Sequence, residues 1–332
     1  MKAIVVSEYG GPETLQYVDV PDPEPGDGEV RVRLEIAGVN FIDVYNRQGV
    51  YSKSHTYENK PPFVLGREGV GVVDQVGAGV HGLAVGDRVG WCLAPGSYAQ
   101  LAVVPAWRLV KIPAGVDGEV ATTLMLQGGT AHYLSHSLFP LEPGHTALIH
   151  AAAGGVGRLL VQLARLRGAR VLCTVGTEEK AEMARRLGAD QAILYRQEDF
   201  AEAVLKATDG EGVDVVYDGV GQATFQGDLK VLRRRGALAL FGAASGAVTS
   251  VDPLDLAEAG SVWLTRPHMA HYMSSAEEIQ GRFADLQRWH AEGRLEVRID
   301  RTFPLADAVE AHRYLEAGKT TGKLLLTVPQ GY

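Results

Sequence analysis

At 332 residues the chain is long enough for two hydrophobic cores, because a single core stops growing near ~250–300 residues. Its 46% hydrophobic and 22% charged residues exclude wholesale disorder, and a net charge of −8 leaves no basic stripe of the kind a nucleic-acid binder needs. No apolar run reaches the ~18 residues a membrane span requires, and the opening MKAIVVSEYG has too short an apolar run for a signal peptide.

Taken in chain order, the first third reads as β-rich. EVRVRLEI (residues 29–36) alternates strictly, with Val30, Val32, Leu34 and Ile36 on one face and Arg31, Arg33 and Glu35 on the other, which predicts a half-buried strand. Short Val-rich segments at 69–76, 86–90 and 98–104 follow, separated by glycines, and suggest an irregular barrel or sandwich. Near Ala121 the texture changes. Strand-like runs at 147–150, 171–175, 192–195, 213–217 and 237–241 alternate with helical patterns, which implies a parallel sheet covered on both faces. In the first helix, Val156, Leu159, Leu160 and Leu163 recur at helical spacing, with Arg158, Arg165 and Arg167 elsewhere. The triplet Arg233–Arg235 reads as a solvated helix end. A helix over about 274–292, with Ser274 or Ser275 as N-cap and Gly293 at its end, leads to a strand, a helix over 305–317 and a last strand over 323–328. This tail is too small to be a domain by itself and is expected to return to the N-terminal one. Cys92 and Cys173 lie in apolar, strand-like surroundings. They read as small buried hydrophobes in a protein of the reducing cytoplasm.

The strongest chemical signal is HAAAGGVG (150–157), between a strand and an amphipathic helix. Ala152, Gly154 and Gly157 occupy the three glycine places of a dinucleotide fingerprint, and pyrophosphate would meet the free N–H groups at the positive end of the helix. Ala152 in the first place is tolerable if its φ is negative. An NAD-preferring site needs a carboxylate about 20 residues further on. Here Val175 is followed by Gly176 and Thr177, with Lys180 just beyond. Lys180 is either a partner for a 2′-phosphate or an ordinary surface lysine. Glu178 and Glu179 can point to solvent from the first helical turn. The reading is NADPH.

These motifs and their order resemble the quinone oxidoreductase (zeta-crystallin-like) branch of the medium-chain dehydrogenase/reductase superfamily. The resemblance runs from GGPE (10–13) to TGKLLL (321–326), and its most specific parts are GVNFIDVYNRQGVY (38–51), HAAAGGVG, TVGTEEK (174–180), VVYDGVG (215–221) and FGAASG (241–246). It implies a GroES-like β-rich catalytic domain (1–123, returning over 268–332), a doubly wound Rossmann domain (124–267) and a cleft between them. The cofactor contacts it implies are Phe41, Ile42, Asp43 and Tyr45, Tyr133, Gly154–Gly157, Gly176, Thr177, Lys180 and Tyr195. They continue with Gly219, Phe241, Gly242, Ala243, Ala244 and the Thr265–Arg266–Pro267 backbone.

Two departures stand out: Gly318–Lys319 where some relatives carry arginine, and Arg67 in GREG (66–69) where a small residue is commoner. Zinc-dependent relatives carry Cys and G-H-E ligands where this chain has Gly38–Asp43 without cysteine and Arg67 in place of histidine. His132 and His136 lack a third ligand, so no metal is expected. Without a Lewis acid, acceptors that take hydride with little help suit the site, quinones first and enones or alkenals second. Asn40, Asp43, Tyr45 and Tyr51 would line the cleft. Tyr45 either donates to an incipient oxyanion or simply packs beside the nicotinamide. A non-catalytic NADPH- or RNA-binding protein is the third reading, and a homodimer is expected by analogy.

Overall fold

The computed structural model describes residues 1–57 and 59–330, and the chain folds as two compact units. The first comprises residues 1–129, 273–287 and 297–332, and the second comprises 130–272 and 288–296. The first unit begins with β1 (Lys2–Val6), β2 (Leu15–Asp19), β3 (Glu29–Val39), α1 (Phe41–Arg47), β4 (Phe63–Val64), β5 (Glu68–Val76), β6 (Arg88–Cys92), β7 (Leu101–Pro105), β8 (Val110–Lys111) and α2 (Gly118–Thr123). The alternation in β3 holds at Val30, Val32 and Leu34, which are fully buried, and breaks at Ile36, where the register with β5 shifts and Ala37 is buried instead. β3 pairs antiparallel with both β5 and β7. After α2 the chain makes a π-helical turn (Leu124–Gly128), which leaves an amide without its usual partner. The Leu126 N–H donates to the buried Glu68 Oε1 at 2.6 Å.

The second unit contains α3 (Gly129–Tyr133), β9 (Thr146–Ile149), α4 (Gly155–Leu166), β10 (Arg170–Val175), α5 (Glu178–Arg186), β11 (Gln191–Leu194) and α6 (Phe200–Ala207). It continues through β12 (Val213–Asp218), α7 (Phe225–Val231), β13 (Leu232–Leu240), α8 (Pro253–Glu258) and β14 (Trp263–Thr265). The six strands form one parallel sheet in the order β11-β10-β9-β12-β13-β14. The order reverses between β9 and β12, the switch point at which doubly wound sheets open a crevice at their carboxyl ends. Leu148, Leu172, Ile193, Val216 and Leu238 of the sheet pack against Val204, Phe225 and Leu229 of the helices in one buried cluster.

The chain then forms α9 (Ala276–Ala291), β15 (Ile299–Pro304), α10 (Ala308–Glu316) and β16 (Lys323–Thr327). β16 pairs antiparallel with β3 and parallel with β15, completing the first unit's seven-stranded sheet. The fold is thus a GroES-like β-rich unit joined to a Rossmann-type doubly wound sheet.

Several elements differ from the sequence reading. Arg233–Arg235 lie in strand β13, not at a helix end, and Arg233 pairs with Asp214 at 2.5 Å. Arg158 is buried with the apolar face of α4, because its guanidinium reaches Glu296 at 2.6 Å. Tyr195 lies just past the end of β11. Ser275 Oγ accepts from the Glu278 N–H at the start of α9, as a cap should. Gly318 takes φ +65 in the turn after α10, so its glycine is conformational there. Among the described residues no helix is long and apolar enough to cross a membrane.

Candidate functional site

In the second unit the residues expected to hold the dinucleotide gather at the carboxyl ends of the parallel strands. Gly154–Gly157 follow β9, Gly176, Thr177 and Lys180 follow β10, and Tyr195 follows β11. Gly219 follows β12, Phe241–Ala244 follow β13, and Thr265–Pro267 close β14. Tyr133, on α3, is buried and stacks on Tyr272 with centroids 4.5 Å apart.

The turn after β9 has the shape its glycines require. The left-handed residue is Ala151 (φ +52), a strained conformation for a side-chain-bearing residue, and Ala152 is not left-handed. A Cβ on Gly157 would stand 2.4 Å from the Ala151 carbonyl oxygen, so only glycine lets the helix approach the turn this closely. Gly154 caps α4 without a side chain, so no side-chain cap takes up its first amides. The turn fits a pyrophosphate.

The loop after β10 carries no acid where a ribose diol would seek one. Thr177 caps α5, its Oγ1 accepting from the Lys180 N–H at 3.3 Å, while Glu178 pairs with Arg185 at 2.7 Å along the helix surface. A Cβ on Gly176 would lie 3.2 Å from the Tyr195 hydroxyl and 3.4 Å from Arg196 Nε. Arg196 escaped the sequence reading, although its place beside Tyr195 was a usable signal. A tyrosine hydroxyl and a guanidinium beside a glycine suit a phosphate monoester.

The loop after β13 is laced to the one after β12. Phe241 and Gly242 N–H donate to the Asp218 carbonyl, and Ala244 N–H donates to that of Gly219. The buried Asp218 carboxylate in turn accepts from the Val220 and Gly221 amides and the Thr224 hydroxyl.

In the first unit α1 and its flanks hold the remaining candidates. Phe41 and Ile42 are half-buried, and Phe41, Tyr45, Tyr51 and Tyr57 form an aromatic ladder with centroid steps of 6.1, 5.9 and 5.2 Å. Asp43 and Asn40, expected to line a cleft, turn inward instead. Asp43 is fully buried at the third position of α1, where its Oδ2 closes a capping box by accepting from the Asn40 N–H at 2.9 Å and accepts from Tyr98 at 3.2 Å. Burial pushes its carboxyl up to about 7. The Asn40 side chain donates to Glu68 Oε2 at 2.9 Å and accepts from Lys323 Nζ at 2.8 Å, and Lys323 pairs with Glu68 at 2.5 Å. Arg67 is likewise buried. It donates to the Leu93 and Tyr57 carbonyls and lies 5.4 Å from the Tyr57 ring centroid, fastening two loops.

The alcohol dehydrogenase GroES-like domain model matches residues 26–114, and the zinc-binding dehydrogenase model matches residues 187–326. That pair defines a dehydrogenase/reductase of the medium-chain type. A 2-haloacrylate reductase from a Burkholderia species is 43% identical, with 99% of each chain covered. A quinone oxidoreductase from Pseudomonas aeruginosa is 42% identical over 98% of this chain and 99% of its own. The structure of Escherichia coli quinone oxidoreductase complexed with NADPH superposes with a TM-score of 0.94 at 38% identity, covering 98% of this chain and 100% of that one. The chain belongs to the quinone oxidoreductase branch of the medium-chain dehydrogenase/reductase superfamily.

The zinc in the name of one family model has no counterpart in these donors. Among the described residues no three His, Cys, Asp or Glu side chains gather to hold a metal ion. Cys92 is buried in β6 and Cys173 in β10, so the two thiols belong to separate units. His132, His136 and Trp289 cluster as three aromatic rings, with centroids 4.3, 5.7 and 5.4 Å apart.

Proposed function

We propose that this protein is an NADPH-dependent reductase that passes hydride to an electron-poor conjugated acceptor, a quinone in the first instance. The observation that carries the reading is the cradle formed where the Tyr195 hydroxyl and the Arg196 guanidinium face Gly176, with Thr177 and Lys180 following in the chain. NADH offers that cradle only ribose hydroxyls, whereas NADPH offers it a 2′-phosphate. Once bound, the dihydronicotinamide supplies two electrons and a proton as hydride. The protein's part is to hold the dinucleotide with Gly154–Gly157 and the cradle, and to orient the ring with Tyr133, Phe241–Ala244 and the Thr265–Pro267 backbone. Phe41, Ile42 and the Tyr45–Tyr51 pair would supply an apolar, aromatic surface for the acceptor, with Tyr45 as hydrogen-bond donor to the oxygen that gains charge. Asn40 and Asp43 serve as positioning residues that fix α1.

Reduction of an activated double bond is the second reading, favoured by the name of the 43% identical relative. Initial rates with 1,4-benzoquinone, a small enone and 2-chloroacrylate, each with NADPH and NADH, separate the two. Turnover of quinone with a strong preference for NADPH supports the proposal, and activity on the alkenes alone replaces quinone as the acceptor. Buried, unpaired cysteines suit a reducing compartment such as the cytoplasm. β14 ends the six-stranded sheet as a three-residue edge strand with Trp263 72% exposed, which supports pairing of two copies through this edge.

A further inference from the structure

Behind the pyrophosphate turn lies a charged pair that touches no proposed cofactor contact directly yet holds two of the loops that do. His150 is the last residue before the turn and is buried. Its Nε2 is 2.7 Å from Asp228 Oδ1 on α7, and its Nδ1 is 2.8 Å from Thr174 Oγ1 near the end of β10. Phe200 meets the ring edge-on at 4.9 Å, so the imidazole has one settled orientation. The Thr174 carbonyl accepts the Ala152 N–H at 3.2 Å. One imidazole thus ties the pyrophosphate turn to the strand that delivers Gly176 and Thr177, and anchors both to α7.

The charges that face His150 from neighbouring elements are Asp228 on α7 and Asp218 at the end of β12, both negative. The Asp228 carboxyl is itself buried and meets that of Asp218, which adds to its upward shift. With a proton on the pair, His150 and Asp228 together carry no net charge. Without it, a buried carboxylate stands uncompensated behind the place where a doubly charged pyrophosphate is to sit.

We propose that His150 is a positioning residue of the dinucleotide site and that the proton it shares with Asp228 sets the affinity for the cofactor. The inference rests on the NADPH reading above. Burial by itself would lower the imidazole's affinity for a proton, but the adjacent Asp228 outweighs it and the net shift is upward, while burial raises Asp228 to about 7. Both shifts are upward, so the pair holds its proton to higher pH than either free side chain does.

Titration calorimetry with NADPH tests this between pH 7 and 9.5, where the 2′-phosphate, with its second pKa near ~6, stays fully ionised. In the unaltered protein Kd should weaken by about tenfold across the window, a coupling of ordinary size. At the alkaline end binding should take up a proton, read from the dependence of the heat on buffer ionisation enthalpy. His150→Gln keeps a hydrogen-bonding side chain without the charge, and Asp228→Asn removes the other member. Asp228→Asn, which removes the titrating carboxylate, should show a Kd independent of pH, whereas in His150→Gln the Asp228 carboxyl has lost its cation and the pH dependence should move to higher pH. The His150 Cε1–H resonance of the unaltered apoprotein should titrate above the ordinary histidine value, and NADPH should move its midpoint upward, which gives a readout even if a variant fails to fold. A pH-independent Kd in the unaltered protein, or an unchanged pH dependence in His150→Gln, would overturn the proposal. Absence of NADPH heat at every pH would instead defeat the cofactor reading itself.

Discussion

Gly157 and Gly281 both sit in helices, and their surroundings decide what a methyl group would do at each. A Cβ at Gly157 would meet backbone on two sides, 2.4 Å from Ala151 O and 2.8 Å from Ala152 Cα, and backbone has little room to yield. Gly157→Ala should cost about 1–3 kcal/mol in urea unfolding, as overpacking does, and should weaken NADPH binding in the same preparation. A Cβ at Gly281, on an exposed face of α9, would meet nothing within 4 Å. There Gly281→Ala should stabilise by about 0.5–1 kcal/mol, measured the same way. The spacing of HAAAGGVG made the first of these positions legible. Lys323 was not legible: in KLLLT it reads as the polar start of a strand, and only the pairing of β16 with β3 brings it to Glu68 and Asn40, 255 and 283 positions away. Lys323→Met should cost about 3–5 kcal/mol in urea unfolding, because it strands the buried Glu68 carboxylate. Lys323→Met combined with Glu68→Gln should recover much of that loss.

At the scale of elements, what the sequence could show depended on whether one element carried its own signal. β3 alternates because one face meets a core, and the strand–turn–helix around residue 150 is a local unit, so both were readable. Neither π-helical turn, 124–128 or 134–138, was readable. The first is favoured by Glu68, a residue from a distant strand that satisfies the displaced Leu126 amide. The arginine triplet misled for a related reason. Charge along a strand resembles charge at a helix end until a partner such as Asp214 is placed beside it. β14 yields a prediction at this scale. If its edge joins two copies, Trp263→Lys sets a desolvated charge at the centre of the joint. Light scattering behind a sizing column should then move from the mass of two chains to that of one, with NADPH affinity unchanged. A two-chain mass in the variant would place the interface elsewhere.

For the molecule as a whole, the ordered motifs revealed the superfamily, but the response to pH depends on a network whose members no window of sequence unites. Tyr98 Oη lies 3.2 Å from Asp43 and 3.3 Å from His312 Nε2, and all three are buried. Burial and the nearby Arg47 charge hold His312 down at about 3, so it is neutral in the folded protein. The unfolded chain binds a proton at His312 near pH ~6.5 that the folded one refuses until about 3, so its contribution to stability is lost as pH falls through that interval. Asp43 acts with the opposite sign. Its folded value is raised from 3.8 to about 7, so its contribution is complete at low pH and is lost as pH rises across that range. Between about pH 4 and 6.5 the two slopes oppose each other, each near ~1.4 kcal/mol per pH unit, and the pair adds little net dependence. His312→Asn should uncover the Asp43 slope, with unfolding free energy declining relative to the unaltered protein as pH rises from 4 to 6.5. Asp43→Asn should uncover the reverse slope and should stabilise the protein at pH 8, where the unaltered protein must hold a buried carboxylate ionised. Urea titrations of the three proteins at four pH values decide the matter, and parallel curves would show that neither group titrates as its surroundings require.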